Sequence, residues 1–250
     1  METLEFIDVL EREGGLLADA AAAAGPDAAV PTCPGWRVRD LVRHIGTVHR
    51  WAASHVADGH AEPRSPDPLP ELDGDALVAW YREGHRRLVE VLRAAPADLQ
   101  CWTFMPAPSA LAFWARRQAH ETAVHRADAE SALGGARRTP GVLAPLTPEF
   151  AADGIDELLG GFHAGDRSRV RSDPPRVLRV RTVDTGQVWT VRISADPPVT
   201  DDSATGPADC ELSGPAGTLY LTLWNRLPLS GVSLSGDASS AALWRELSSV

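Results

Sequence analysis

Residues 40–51, Asp40-Leu41-Val42-Arg43-His44-Ile45-Gly46-Thr47-Val48-His49-Arg50-Trp51, decide how the first half of the chain is read. Leu41, His44, Val48 and Trp51 recur at steps of three and four, the period of one face of an α-helix. The spacing predicts a helix from about Trp36 to Val56. It also sets His44 among apolar neighbours, where an imidazole costs free energy unless it finds a partner.

Before this helix, Leu4, Ile7, Leu10, Leu16 and Leu17 give a first helix its apolar contacts, and Gly25-Pro26 stops it. Between the two lies Val30-Pro31-Thr32-Cys33-Pro34-Gly35, a loop rich in helix breakers. After it, Pro63 to Pro70 forms a connection, and Asp73 or Asp75 caps a third helix reaching about Ala94. Ser109 caps a fourth, which runs to about Leu133 and is ended by Gly134-Gly135. Four such helices imply an antiparallel bundle.

Beyond Pro148 the period changes. Phe150 to Phe162 reads as one more helix. Val177 to Arg181 and Val188 to Ile193 alternate with period two around the turn Asp184-Thr185-Gly186, the signature of a β-hairpin. Asp209 to Leu212 and Val232 to Leu234 read as short strands, Pro215 to Arg226 and Ala238 to Leu247 as helices. The expected fold is α+β: a helical domain over residues 1–147, then a small α+β domain over 148–250.

The fourth helix carries Gln118-Ala119-His120-Glu121-Thr122-Ala123-Val124-His125. At about 100° per residue, His120 and His125 point roughly 140° apart and cannot share an ion. The zinc-protease pattern needs histidines four apart, so this is not that motif. Glu121 and His125 are four apart and share a face with Trp114, Gln118 and Asp128. If the second and fourth helices are neighbours, His44 meets this pair. His44, Glu121 and His125 would then supply two nitrogens and one oxygen, the open ligand set of a catalytic zinc. The bland alternative is a hydrogen-bonded Glu–His pair beside a core histidine. His49 is expected beside the site or at the surface, and His55, His60, His85 and His163 look structural.

Composition narrows the function classes. The formal net charge is −10, which disfavours nucleic acid as a partner. Arg167, Arg169, Arg171, Arg176, Arg179 and Arg181 form one basic stretch, expected to be a solvated strand edge and its approach loop, with an anion site as the alternative. No run of about 18 apolar residues offers a membrane helix, and the acidic first ten residues do not resemble a signal peptide. Cys33, Cys101 and Cys210 are too scattered for a disulfide framework or a zinc knuckle. A cytoplasmic protein is expected. All 24 basic residues are arginine, as in proteins of high-GC genomes.

Three passages carry a resemblance to the mycothiol-dependent maleylpyruvate isomerase family. They are Pro31-Thr32-Cys33-Pro34-Gly35-Trp36 leading through Leu41 to His44; Glu121-Thr122-Ala123-Val124-His125-Arg126-Ala127-Asp128; and Asp184 to Trp189 with Leu221 to Arg226 and Gly236-Asp237. The resemblance implies a DinB-like four-helix N-terminal domain and the family's C-terminal domain. It implies a divalent metal, usually zinc, on His44, Glu121 and His125, and mycothiol as co-substrate. The thiol, bound as thiolate, would attack an electrophilic small molecule, giving cis–trans isomerisation or S-transfer. It further implies a C-terminal arginine used for activity, with Arg226 the candidate; capping of its own helix is the competing role. Cys33 invites a nucleophile's role, although its turn suits a structural one. A monomer or homodimer is expected.

Two other classes fit the same residues: a non-catalytic binding or stress protein on a DinB-like bundle, and a thiol-independent metal hydrolase or lyase. Two imidazoles and a carboxylate also suit Fe(II). No residue specifies the substrate.

Overall fold

The structure, a computed structural model, describes residues 1–133 and 145–248. Its contacts divide the chain into two units, Met1–Leu143 and Ala144–Val250. Among the described residues no helix is long and apolar enough to cross a membrane.

The first unit holds α1 (Thr3–Ala24), α2 (Val38–Asp58), α3 (Gly74–Ala94) and α4 (Ala110–Ser131). Each start has a local cause. Asp40 accepts from the Arg37 amide at 2.9 Å and opens α2 two residues later than the apolar period suggests. Asp73 accepts from the Gly74 amide at 2.8 Å, and Ser109 from the Ala112 amide at 3.1 Å. The Gly134-Gly135 stop lies outside the described residues.

Contacts along the helices give their directions. Arg39 meets Asp73 and Arg50 meets Trp80, so α2 and α3 run the same way. Arg82 meets Asp19 and Arg93 meets Asp8, so α1 opposes α3. Trp51 meets Trp114 while His44 meets His125, so α2 opposes α4. Starting α3 at the same end as α2 requires crossing about 30 Å of helix. The connection 59–73 spans that distance, since each extended residue covers about 3.3 Å.

Leu17, Leu41, Ile45, Leu77 and Tyr81 pack the centre of this unit, none more than 2% exposed. Burying a leucine such as Leu41 stabilises by about 2 kcal/mol. Close approach is bought at glycine: a Cβ on Gly14 would sit 2.2 Å from His85 Cε1, and one on Gly46 2.2 Å from the Trp80 ring.

The second unit holds α5 (Pro148–Asp156), β1 (Arg176–Thr182), β2 (Val188–Ile193), β3 (Val199–Asp201), β4 (Cys210–Gly214), α6 (Ala216–Leu223), β5 (Ser233–Gly236) and α7 (Ala238–Leu247). The sheet order is β3-β2-β1-β4-β5. β1 pairs antiparallel with β2, Val180 opposite Trp189, and parallel with β4, Val180 opposite Leu212. Three details differ from expectation. The helix expected over Phe150–Phe162 changes to a π-helical turn at Glu157–Phe162. β3 is only three residues long, too short for alternation to show in the sequence. Arg167 and Arg169 are exposed in the approach to β1, as expected of a solvated loop, but the arginines on β1 do not lie on an edge, because β1 is a central strand. Arg179 is 8% exposed and donates to the carbonyl oxygens of Thr205 and Gly206, and Arg181 donates to Glu211 at 3.1 Å.

The family-like motifs of this unit act as joints. Both Asp184 oxygens accept from the Ala216 amide, at 3.0 and 3.1 Å, at the start of α6. Asp237 caps α7 through the Ser239 amide at 2.9 Å.

Candidate metal centre

His44 lies on α2, and Glu121 and His125 one turn apart on α4. Because the two helices oppose each other side by side, the three side chains converge. One ligand atom from each lies within 4.8 Å of the others. His125 Nε2 is 3.3 Å and His44 Nε2 3.6 Å from the same oxygen, Glu121 Oε1. Donors on a tetrahedral zinc with bonds near 2 Å stand about 3.3 Å apart. An N–H···O hydrogen bond, by contrast, is most often about 2.9 Å. The two nitrogen–oxygen spacings are longer than that hydrogen bond and close to the donor spacing of a coordination shell.

The side toward solvent is open: the His44 side chain is 37% exposed and Glu121 22%. The inner side is closed. His125 Nδ1 donates to Asp128 Oδ2 at 2.9 Å, which turns Nε2 toward His44 and Glu121. Asp128 Oδ1 in turn accepts from Thr32 Oγ1 at 2.6 Å. Carboxylate–histidine pairs of this kind orient metal ligands. Arg117, 2% exposed, donates from Nη2 to Glu121 Oε2 at 3.0 Å. The Trp36 ring stacks on His125, 6.4 Å between centroids and 14° between planes, and stands 5.1 Å from His44.

The charges are mutually dependent. Burial would raise the Glu121 carboxyl, but His125, His44 and Arg117 hold it well below the usual carboxylate range. Burial would lower His125, but Asp128 and Glu121 raise it to about 9. Without a cation the centre thus holds a proton on His125, the place a divalent ion would take.

His120 points away, as the helix period requires, with its ring 5.9 Å from Phe6 on α1. Of the two places expected for His49, beside the site and at the surface, the structure shows the first: it is fully buried against Thr122, the neighbour of Glu121. Thr122 Oγ1 spends its hydrogen on the Gln118 carbonyl at 2.7 Å, so His49 Nε2 donates to it at 2.9 Å. Burial, foremost, holds His49 well below its ordinary value. The Cys33 amide donates to Val30 O and its carbonyl accepts from Trp36, both at 3.0 Å, which makes the turn that carries Trp36. Arg226 follows Asn225, whose φ of 64° ends α6. The Arg226 amide donates to Leu221 O at 2.8 Å and its Nη1 to Trp224 O at 2.8 Å. Thr32 and Arg117 have no place in a reading by ligand type. Arg117 was detectable only as a basic residue one turn before Glu121.

Fold and cluster define a class: α+β proteins of two units that carry a His–Glu–His set between two helices of a bundle. Residues 8–130 match the mycothiol maleylpyruvate isomerase N-terminal domain, and residues 149–243 match the C-terminal domain of the same family. The chain belongs to this enzyme family. In fold it is similar to the crystal structure of the mycothiol-dependent maleylpyruvate isomerase, at 16% identity and a TM-score of 0.60, covering 94% of this chain and 93% of that one. It is equally similar to a histidine-to-alanine mutant of that isomerase, at 14% identity, a TM-score of 0.60 and the same coverage. No curated protein matches the sequence.

Proposed function

We propose that this chain is a divalent-metal enzyme, with zinc on His44, Glu121 and His125, that activates mycothiol or a similar small thiol for addition to an electrophilic small molecule. The observation that carries the reading is the spacing of 3.3 and 3.6 Å from two imidazole nitrogens to one carboxylate oxygen, open to solvent on one side. When bound there, zinc supplies a positive charge strong enough to keep a coordinating thiol deprotonated at neutral pH.

The chain's own residues do the rest. Asp128 fixes His125 with Nε2 facing the centre, Arg117 fixes Glu121, and Trp36 walls one flank. Arg226 is the candidate for holding a substrate carboxylate, a task suited to a guanidinium fork. The thiolate sulfur adds to one carbon of an activated cis double bond, and the electron pair moves onto the conjugated carbonyl. Rotation about the resulting single bond, followed by return of the pair and loss of the thiolate, gives the trans isomer. Uptake of a proton from water at the other carbon of the former double bond, with the carbon–sulfur bond retained, gives S-transfer instead. The thiols at Cys33, Cys101 and Cys210 suit a reducing cytoplasm.

Elemental analysis and native mass spectrometry of the purified protein test the proposal. About one zinc per chain is expected, lost in His44→Ala, Glu121→Ala and His125→Ala, with isomerisation of maleylpyruvate that requires added mycothiol. Full metal content in the three variants would defeat the metal assignment, and turnover without thiol would favour a hydrolase or lyase. Arg226→Lys is expected to raise KM with metal content unchanged.

A further inference from the structure

We propose that Arg117 is a positioning residue of the metal centre, which holds one oxygen of Glu121 so that the carboxylate offers only the other to the ion. The inference rests on the metal reading above. Arg117 lies one turn before Glu121 on α4, so both occupy one helix face. Its Nη2 donates to Oε2 at 3.0 Å, whereas both imidazole contacts fall on Oε1, at 3.3 and 3.6 Å. The two oxygens of one carboxylate thus have divided duties.

That division has a chemical consequence. A carboxylate can bind a cation through one oxygen or two. With Oε2 free, Glu121 could close on the ion with both oxygens and occupy an additional position. With Oε2 in a charge-assisted hydrogen bond, it occupies one, and the vacant position stays available to a thiol. The guanidinium is 2% exposed and cannot lose its proton, so the contact with Glu121 is that of a fixed positive charge. Arg117 also adds one positive charge beside the centre, which favours an anionic incoming ligand such as a thiolate over a neutral one.

Cobalt(II) reports coordination number directly, since its visible absorption is intense in four-coordinate sites and weak in five- or six-coordinate ones. Metal-free parent protein, Arg117→Met, Arg117→Lys and His44→Ala are each titrated with cobalt, with far-UV circular dichroism to monitor folding. The parent is expected to give the intense band and His44→Ala to lose it. Arg117→Met should still bind cobalt, with the band falling about twofold or more as Glu121 closes on the ion. Arg117→Lys should keep most of the parent band, because an ammonium can still hold one oxygen. A folded Arg117→Met with the parent spectrum overturns the proposal, and so does a weak band in the parent. Failure of both Arg117 variants to fold would make Arg117 a core residue only, and also overturns it. If the parent takes up no cobalt, the metal reading itself fails, an outcome distinct from all of these.

Discussion

Thr32 Oγ1 donates to Asp128 Oδ1 at 2.6 Å, and through Asp128 it acts on His125, whose Nδ1 donates to Oδ2 at 2.9 Å. The loop that leads into α2 is thereby tied to the helix that carries two of the three candidate ligands. Thr32 is 96 residues from Asp128 in the chain, yet both serve one imidazole.

Removal of this support has a graded outcome. Asp128→Asn keeps the shape but loses the negative charge, and zinc affinity should fall about 10- to 100-fold, the usual cost of losing such a partner. Thr32→Val leaves Asp128 in place with one fewer donor, so its loss should be smaller than that of Asp128→Asn. Competition titration with a chromophoric chelator measures both. Equal affinity in all three proteins would remove Asp128 from the metal centre.

Proton and metal compete at His125. In metal-free protein its folded value is raised to about 9 by Asp128 and Glu121 against the opposing effect of burial. The ordinary histidine value is about 6.5. A zinc ion must displace that proton below about pH 9. Apparent affinity should therefore rise about tenfold per pH unit toward 9 and level off above it, as one-proton linkage requires. Stability of the metal-free protein runs the opposite way. The raised value makes its contribution fully present below about 6.5 and lost as pH rises through 9. Chelated protein should thus lose melting temperature over that window, a loss that zinc-loaded protein, already without the proton, does not share. Isothermal titration at several pH values and paired thermal melts measure the two halves.

The elements were legible where period and caps were strong. α2 and α4 follow from their three- and four-residue steps and from Ser109, and the β1–β2 hairpin from its alternation. The candidate pair was legible because helix geometry fixes which residues share a face: Glu121 with His125, but not His120; His44 joined them through the resemblance and the adjacency of α2 and α4. What could not be read is what depends on the third dimension. The parallel course of α2 and α3 hides in the connection 59–73, whose composition says loop but not direction. The burial of Arg179 depends on β4 pairing with β1 from some 30 residues further on, a partner that no local pattern announces. Arg117 sits in an arginine-rich composition, where a charge one turn from a glutamate resembles an ordinary surface pair.

His163 makes the second unit sensitive to acid. Burial holds its folded value down to about 4, its Nδ1 lies 3.0 Å from Ser168 Oγ, and its ring stands edge-on to Trp244 at 4.9 Å. A depressed value means the unfolded chain binds the proton first. The stabilising contribution is whole above about 6.5 and lost as pH falls toward 4, up to about 3 kcal/mol. His163→Phe keeps an aromatic edge and removes the titration. Its urea midpoint, followed by tryptophan fluorescence, should fall less between pH 7 and 4.5 than that of the parent. Parallel declines would show that His163 carries none of the acid sensitivity.

Two adjacent glycines of α1 offer a test of how the first unit is packed. Gly14 is buried, with its Cα against the His85 ring. A Cβ there would meet Cε1 at 2.2 Å and Nε2 at 2.4 Å. His85 cannot easily retreat, because its Nε2 lies 3.2 Å from the Glu11 carbonyl and its ring stacks on Tyr81 at 5.9 Å and 8°. Gly14→Ala should therefore destabilise by about 1–3 kcal/mol, the usual cost of overfilling a core. At Gly15 a Cβ meets nothing within 4 Å among the described residues, and the glycine lies inside a helix. Gly15→Ala should stabilise by about 0.5–1 kcal/mol, because alanine gives up less conformational freedom there. The two substitutions add the same methyl group one residue apart, so helix propensity alone would move both melting temperatures upward. Opposite shifts show that the His85 ring, seated on Gly14, sets how closely α1 and α3 approach.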